Sequence, residues 1–175
     1  MSVRATPWCW KAGAAGVPVQ RASLGEQRAV GGLRWSVVAP GRAFRGTSSD
    51  PNNSSLVLRL TVGPTSVLLT GDVEPEAQRD LLARGVDVRA DVLKVPHHGS
   101  DHQDPAFLAA VGARVALTSV GADNTYGHPS ARTLGQLTGA GAVSFRTDLD
   151  GDIALVHRGA VLRAVGRRGP GTPPS

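Results

Sequence analysis

Ser66-Val-Leu-Leu-Thr-Gly-Asp72 and Asp91-Val-Leu-Lys-Val-Pro-His-His-Gly-Ser100 decide how this chain folds. Each is a short apolar run that stops abruptly at polar residues. Val67-Leu68-Leu69 leads into Asp72, and Val92 to Val95 leads into His97-His98. Between them, Glu74 to Arg84 opens with acids and carries Leu81 and Leu82 on one face. Pro75 sits in the first turn, where its missing N–H costs nothing. Strand, helix, strand is the reading, and it places a carboxylate and an imidazole at the C-terminal ends of two strands. Such a pair can converge above one sheet edge, which is how zinc or manganese is commonly held. No H-x-H-x-D-H cluster occurs anywhere in the chain.

Outward from this centre the pattern is hairpins first, then alternation. Leu33 to Ala39 is predicted as a strand ending at the Pro40-Gly41 turn. Ser55 to Val62 and Ser66 to Thr70 are predicted as an antiparallel hairpin across Gly63-Pro64-Thr65. Gly46 to Asn53 reads as a loop. On the other side, Asp104 to Val111 reads as a helix, Arg114 to Val120 as a strand and Ala131 to Leu137 as a helix. Val143 to Arg146 and Asp152 to His157 are expected to close the chain as a hairpin, with a further strand at Val161 to Val165. Near the start, Lys11 to Gly16 fits a helix end closed by glycine, and Val17 to Gln20 a short edge strand. Strands alternating with helices indicate an α/β layered fold. The expected organisation is one domain over 1–165, with a poorly patterned lead-in over 1–16 and a disordered tail over 166–175.

Composition agrees with a single domain. The chain has 175 residues, 41% of them hydrophobic, which excludes wholesale disorder. Aromatics are only 4%, so the core must be built from Val, Leu and Ala. The formal charge is +5, carried almost wholly by arginine. Arginine's rigid fork suits phosphates, whereas a high-GC coding sequence would enrich arginine with no partner in view; both readings stand. Cys9 is the only cysteine, which excludes a disulfide framework and a thiolate metal cage. No apolar run approaches the roughly 20 residues of a membrane span, and the start lacks a signal-peptide core. The chain by itself therefore reads as cytoplasmic.

The residues with chemistry to offer follow from these positions. Asp72 is either a metal ligand or the N-cap of the following helix. Adjacent residues of an extended chain point to opposite sides, so one of His97 and His98 ligates while the other orients a neighbour, unless both sit in a solvated turn. Asp101, His102 and Asp104 read as surface residues. His128, embedded in Asn124-Thr-Tyr-Gly-His-Pro129, follows a strand end that reaches the same side of the sheet. It is either a satisfied loop histidine or suited to hold a phosphate oxygen or protonate a leaving group. Asp50 to Ser55 reads as turn residues. Asp148, Asp150 and Asp152 lack the distal glutamate of a calcium loop, so a turn is the reading there. His157 reads as structural.

Five ordered segments carry a resemblance: Asn52-Asn-Ser-Ser-Leu-Val-Leu58, Leu68-Leu-Thr-Gly-Asp72, Asp91 to Ser100, Gly121 to Pro129, and Arg146-Thr-Asp148 with Gly151. From about residue 17 to 157 the chain resembles the ComEC competence family, in its C-terminal metallo-β-lactamase-like domain. The resemblance implies an αββα sandwich with one or two divalent ions, zinc or manganese. It implies Asp72 as the metal-bridging aspartate and His98 as a ligand, with His97 as neighbour or alternative. It also implies that Asp72, His98 and His128 serve catalysis, and that Asn53, Ser100, Asn124 and His128 face the substrate. The implied reaction is metal-dependent hydrolysis of single-stranded DNA by a plasma-membrane uptake protein, whose channel region adjoins an extracytoplasmic hydrolase domain. Family members carry an earlier strand aspartate and the H-x-H-x-D-H cluster ahead of these segments. The expectation is thus a domain incomplete at its N-terminus, inactive until completed by that half. The alternative is a non-catalytic remnant or basic anion-binding module.

Overall fold

A computed structural model describes residues 7–158 and 161–167. Its centre is a seven-stranded mixed sheet in simple sequential order: β1 (Gln27–Val30), β2 (Leu33–Ala39), β3 (Val57–Val62), β4 (Thr65–Leu69), β5 (Val92–Lys94), β6 (Val115–Thr118) and β7 (Val143–Arg146). β1 to β4 run antiparallel, and β4 to β7 run parallel. The switch at β4 has a simple cause. Gly63 and Pro64 alone link β3 to β4, with Gly63 at φ +55°, so those strands must be antiparallel. Beyond β4 each connection contains a helix, which permits parallel return.

The helices start where local chemistry says they should. α1 (Pro7–Ala14) closes on Gly16, left-handed at φ +68°, with Val17 N–H donating to Ala12 C=O. α2 (Asp50–Asn53) is capped by Ser49. α3 (Pro75–Ala83) has proline in its first turn. Asp104 caps α4 (Pro105–Val111) by accepting from Ala106 N–H, and Gly112 ends it left-handed. Ser130 caps α5 (Ala131–Gly139) by accepting from Thr133 N–H.

One face of the sheet presents Leu68, Leu93 and Ala116 in register, with Val57 on the same face of β3, and α3, α4 and α5 cover it with Ala77, Leu81, Phe107, Leu108, Val111 and Leu137. These residues form a single buried core, aliphatic apart from Phe44 and Phe107. On the other face, a second sheet of β8 (Ile153–Arg158) and β9 (Val161–Gly166) encloses an apolar cavity of about 370 Å³ between Leu155 and Leu162 on one side and Val62 and Val67 on the other. The fold is therefore α/β, a mixed sheet flanked by helices.

Several expectations are corrected. Val17 to Gln20 is not a strand; the first strand is β1, ten residues later in the chain. The loop over 46–53 contains the single turn α2. Most substantially, 143–146 and 152–157 do not form a hairpin. Residues Thr147–Asp150 coil into a helical turn, α6, because Thr147 Oγ1 donates to Val120 C=O at 2.7 Å and accepts from Val120 N–H at 2.8 Å. Asp150 also accepts from Arg146 N–H at 2.7 Å. The chain is thereby turned away, leaving β7 parallel to β6 and, among the described residues, β8 paired only with β9. Of the tail expected over 166–175, Gly166 ends β9, and 168–175 lie outside the described residues.

Asp91 ties three strands at the end of the sheet where the parallel strands begin. It accepts from Ser66 N–H at 2.8 Å and Ser66 Oγ at 2.9 Å, and pairs with Arg114 at 2.9 Å. Those bonds, the Ser66 amide first, hold its carboxyl below the ordinary value of 3.8. A depressed folded-state pKa contributes stability that is fully present above the unfolded value and lost as pH falls through the folded one. Asp91→Asn is therefore expected to lower the urea midpoint at pH 7, by an amount that shrinks as pH falls below 3.8 and through the folded-state value. A loss that stays the same as the pH is lowered would show that the charge is not what stabilises this end.

Candidate functional site

Asp72, His97, His98 and His128 gather at the C-terminal end of the parallel strands. A glycine makes the approach possible. Gly71 is left-handed at φ +55°, and a Cβ there would lie 2.7 Å from Ser55 Cβ, so the turn after β4 sits directly against the segment before β3. Asp72 N–H donates to Ser55 Oγ at 3.1 Å. The ends of β4 and β5 are then stapled: Thr70 Oγ1 donates to Lys94 C=O at 2.7 Å, and His97 N–H to Gly71 C=O at 3.2 Å.

Asp72 does not cap α3. The buried amide of Asn53 does that from another element, its Oδ1 accepting from both Glu74 N–H and Ala77 N–H at 3.1 Å. Asp72 is left half-exposed with Oδ1 at 3.7 Å from His98 Nε2 and 3.7 Å from Lys94 Nζ. Lys94 also donates to Gly71 C=O at 3.0 Å. Burial lowers its pKa, against the opposing pull of Asp72.

The histidine pair divides its labour. Both residues have positive φ, 48° and 52°, so they leave the strand in a tight left-handed turn and do not continue its alternation. His98 Nδ1 lies 2.7 Å from Ser119 C=O. A carbonyl only accepts, so Nδ1 carries the proton, and in the neutral ring the Nε2 lone pair faces Asp72. His97 instead places Nδ1 at 3.4 Å from Glu74 Oε1. The Glu74 carboxylate is buried, accepting from Asn52 Nδ2 at 2.9 Å and from Ser48 Oγ.

His128 stands 5.6 Å from His97, ring centre to ring centre, and stacks on Tyr126 at 6.2 Å. Burial and then the neighbouring His97 and His98 lower its pKa from the ordinary histidine value, which favours the neutral imidazole. Asn124 uses its amide inside the same loop, donating to His128 C=O and accepting from Tyr126 N–H at 3.0 Å. His98, His128, Tyr126 and Asn124 line an open cleft of about 440 Å³.

The other sequence-singled residues lie elsewhere. Asn53 is 0% and Ser100 3% exposed. Ser100 C=O accepts from Thr133 Oγ1 at 2.6 Å, linking the turn to α5. Both residues support the turns from within and do not reach the cleft. Asp101 and His102 are exposed, 3.8 Å from one another, and Asp104 is the α4 cap. Lys94, Glu74 and the Ser119 carbonyl were not singled out. Lys94 alone left a signal, a cation inside the apolar run Val92 to Val95.

Among the described residues, no three His, Cys, Asp or Glu side chains converge closely enough to hold a metal ion. The Asp72–His98 pair does fit as part of such a set. A carboxylate oxygen and an imidazole lone pair face one another with no proton between them in the neutral form, the chemistry of two ligands awaiting a shared cation.

No family model matches the chain. Among curated proteins it is 33% identical over 150 residues to ComE operon protein 3 of Bacillus subtilis, covering 83% of this chain and 19% of that protein. It is 34% identical over 115 residues to Competence protein ComA of Neisseria gonorrhoeae, covering 64% and 17%. It is 35% identical over 99 residues to Recombination protein 2 of Haemophilus influenzae, covering 56% and 12%. The chain belongs to the ComEC competence family. It spans less than a fifth of the length of each of these relatives. Among the described residues no helix is long and apolar enough to cross a membrane.

Proposed function

We propose that the chain is part of a metallo-β-lactamase-like domain in a ComEC-like DNA-uptake protein, and that in the complete protein this domain hydrolyses phosphodiesters of single-stranded DNA. The observation that carries the reading is the Asp72–His98 pair, with the His98 tautomer fixed by Ser119 so that its lone pair meets the carboxylate. Asp72 and His98 would be two ligands of a zinc or manganese ion, with further ligands from the rest of the complete protein, and such an ion would supply polarisation of a phosphoryl oxygen and a lowered pKa for bound water. His97, with Nδ1 3.4 Å from Glu74 Oε1, flanks the pair. Lys94 sets a fixed positive charge beside Asp72, which favours an anionic substrate at the strand ends. The neutral His128 imidazole, stacked on Tyr126 at the mouth of the cleft, accepts or holds a proton at a phosphodiester bound there.

Calorimetry of the complete protein with manganese or zinc tests the ligand assignment. A saturable heat that Asp72→Ala abolishes is the expected result. Identical heats for both proteins would remove Asp72 from the site. Cleavage of single-stranded DNA by the complete protein, lost on the same substitution, tests the activity. Absence of both metal binding and cleavage would leave a non-hydrolytic basic module.

A further inference from the structure

The helices that cover one face of the sheet reach only Ala39 and Val57 at one end of β2 and β3. On β1 and the adjoining parts of β2 and β3, beyond the buried Ala39 and Val57, the same face is open, and the register shows which side chains share it. Gln27 pairs Ser36, Ser36 pairs Arg59, and Arg34 pairs Thr61. Partners directly across an antiparallel ladder share a face, as do residues two apart along a strand. Gln27, Arg34, Ser36, Arg59 and Thr61 therefore stand together, and they line an open concavity of about 430 Å³ whose lining contains no carboxylate.

Arg34 and Arg59 are diagonal neighbours on adjacent strands, within reach of each other's long side chains. Two like charges so placed repel unless something answers them. Arg59 is partly answered at the rim: its Nε donates to Arg89 C=O at 3.3 Å, and Nη2 lies 3.9 Å from Asp87. Arg34 has no hydrogen bond or ion pair among the described residues, and neither do the side chains of Gln27, Ser36 and Thr61. Two guanidinium forks with two hydroxyls and an amide beside them form a donor-rich surface with no carboxylate in it. Guanidinium geometry matches the paired oxygens of a phosphate diester. The concavity lies toward the end of β4 opposite Asp72, so the surface is separate from the candidate site.

We propose that this open face of β1 to β3 binds the sugar-phosphate backbone of a nucleic-acid strand, independently of any metal. It grips the strand away from the cleft and reads no base.

The test is fluorescence anisotropy of a labelled single-stranded oligodeoxynucleotide on the full chain, titrated over a range of salt concentrations in EDTA. Each phosphate contact on a single strand contributes about 0.7 to the slope of log affinity against log salt. Arg34→Gln is expected to lower that slope by about 0.7 and Arg34→Gln/Arg59→Gln by about 1.4, with weaker binding at low salt. Arg34 is exposed and unpartnered among the described residues, so its single variant keeps the fold and decides the matter even if the double variant is unstable. An unchanged slope in Arg34→Gln overturns the proposal. Displacement by inorganic phosphate as effective as by unlabelled oligonucleotide, at equal phosphate concentration, overturns the nucleic-acid assignment. Because EDTA silences any metal site, failure here and failure of metal binding at Asp72 are separate results.

Discussion

Asn53→Ala is expected to remove about 3 to 5 kcal/mol of folding stability, a large part of the 5 to 15 kcal/mol typical of a domain. Asn53 is wholly buried, and both ends of its amide are engaged. Oδ1 accepts from Glu74 N–H and Ala77 N–H, the first orphan donors of α3. Nδ2 donates to Thr47 Oγ1 at 3.1 Å and to Glu76 Oε2 at 3.3 Å. Alanine leaves two backbone donors buried without acceptors, at about 1 to 3 kcal/mol each, together with a small void. Urea unfolding followed by circular dichroism measures it, as a lower midpoint with an unchanged slope. A change below about 1 kcal/mol would mean that water enters and replaces the amide. The substitution has a second consequence. Asn53 fixes the segment that carries Glu74, and Glu74 faces His97, so the histidine turn is expected to loosen as well.

What the sequence made legible depended on how local each signal was. Asp104 and Ser130 cap their helices through bonds that reach only two or three residues, and such signals can be read without the fold. The Gly63-Pro64 turn is equally local. β1 was missed because Gln27–Val30 is exposed at every position, an edge strand with no buried face to impose alternation. The expected closing hairpin failed for a tertiary reason. Asp148 to Gly151 has ordinary turn composition, and only the bonds between Thr147 and Val120, from a distant loop, turn it into a helical turn.

The candidate site divides in the same way. Asp72, His98 and His128 were placed together because strand C-terminal ends converge in any parallel sheet, a rule of topology. Which histidine faces Asp72 was not legible. It depends on the Ser119 carbonyl and on two positive φ angles, neither of which has a sequence signature in a non-glycine residue. Asn53 shows the converse. Its segment was read as turn residues, and the resemblance made it substrate-facing. The structure uses it to tie α2 to α3, a long-range role that turn composition conceals.

Gly99→Ala is expected to cost about 3 to 5 kcal/mol and to disorganise the histidine turn at the same time. Gly99 is left-handed at φ +79°, and a Cβ there would lie 2.6 Å from Pro129 Cβ and 3.1 Å from Pro129 Cα. The second contact is to backbone and cannot be relieved by rotating a side chain. Gly99 C=O also accepts from Ser130 N–H at 2.8 Å, so separating the two segments breaks the bond that introduces α5. His97 and His98 already occupy the left-handed region, at about 1 to 3 kcal/mol each, and the glycine is what lets the turn finish. Gly127→Ala is the matched control. It has φ +72° but nothing within 4 Å of an added Cβ, so it carries the backbone strain alone, about 1 kcal/mol. The difference between the two urea midpoints isolates the collision with Pro129. Histidine NMR signals report the turn, since pushing Pro129 away moves His128 relative to His97. Equal destabilisation by the two substitutions would show that the segments separate at no cost, and that the packing of Gly99 on Pro129 does not position His98 and His128.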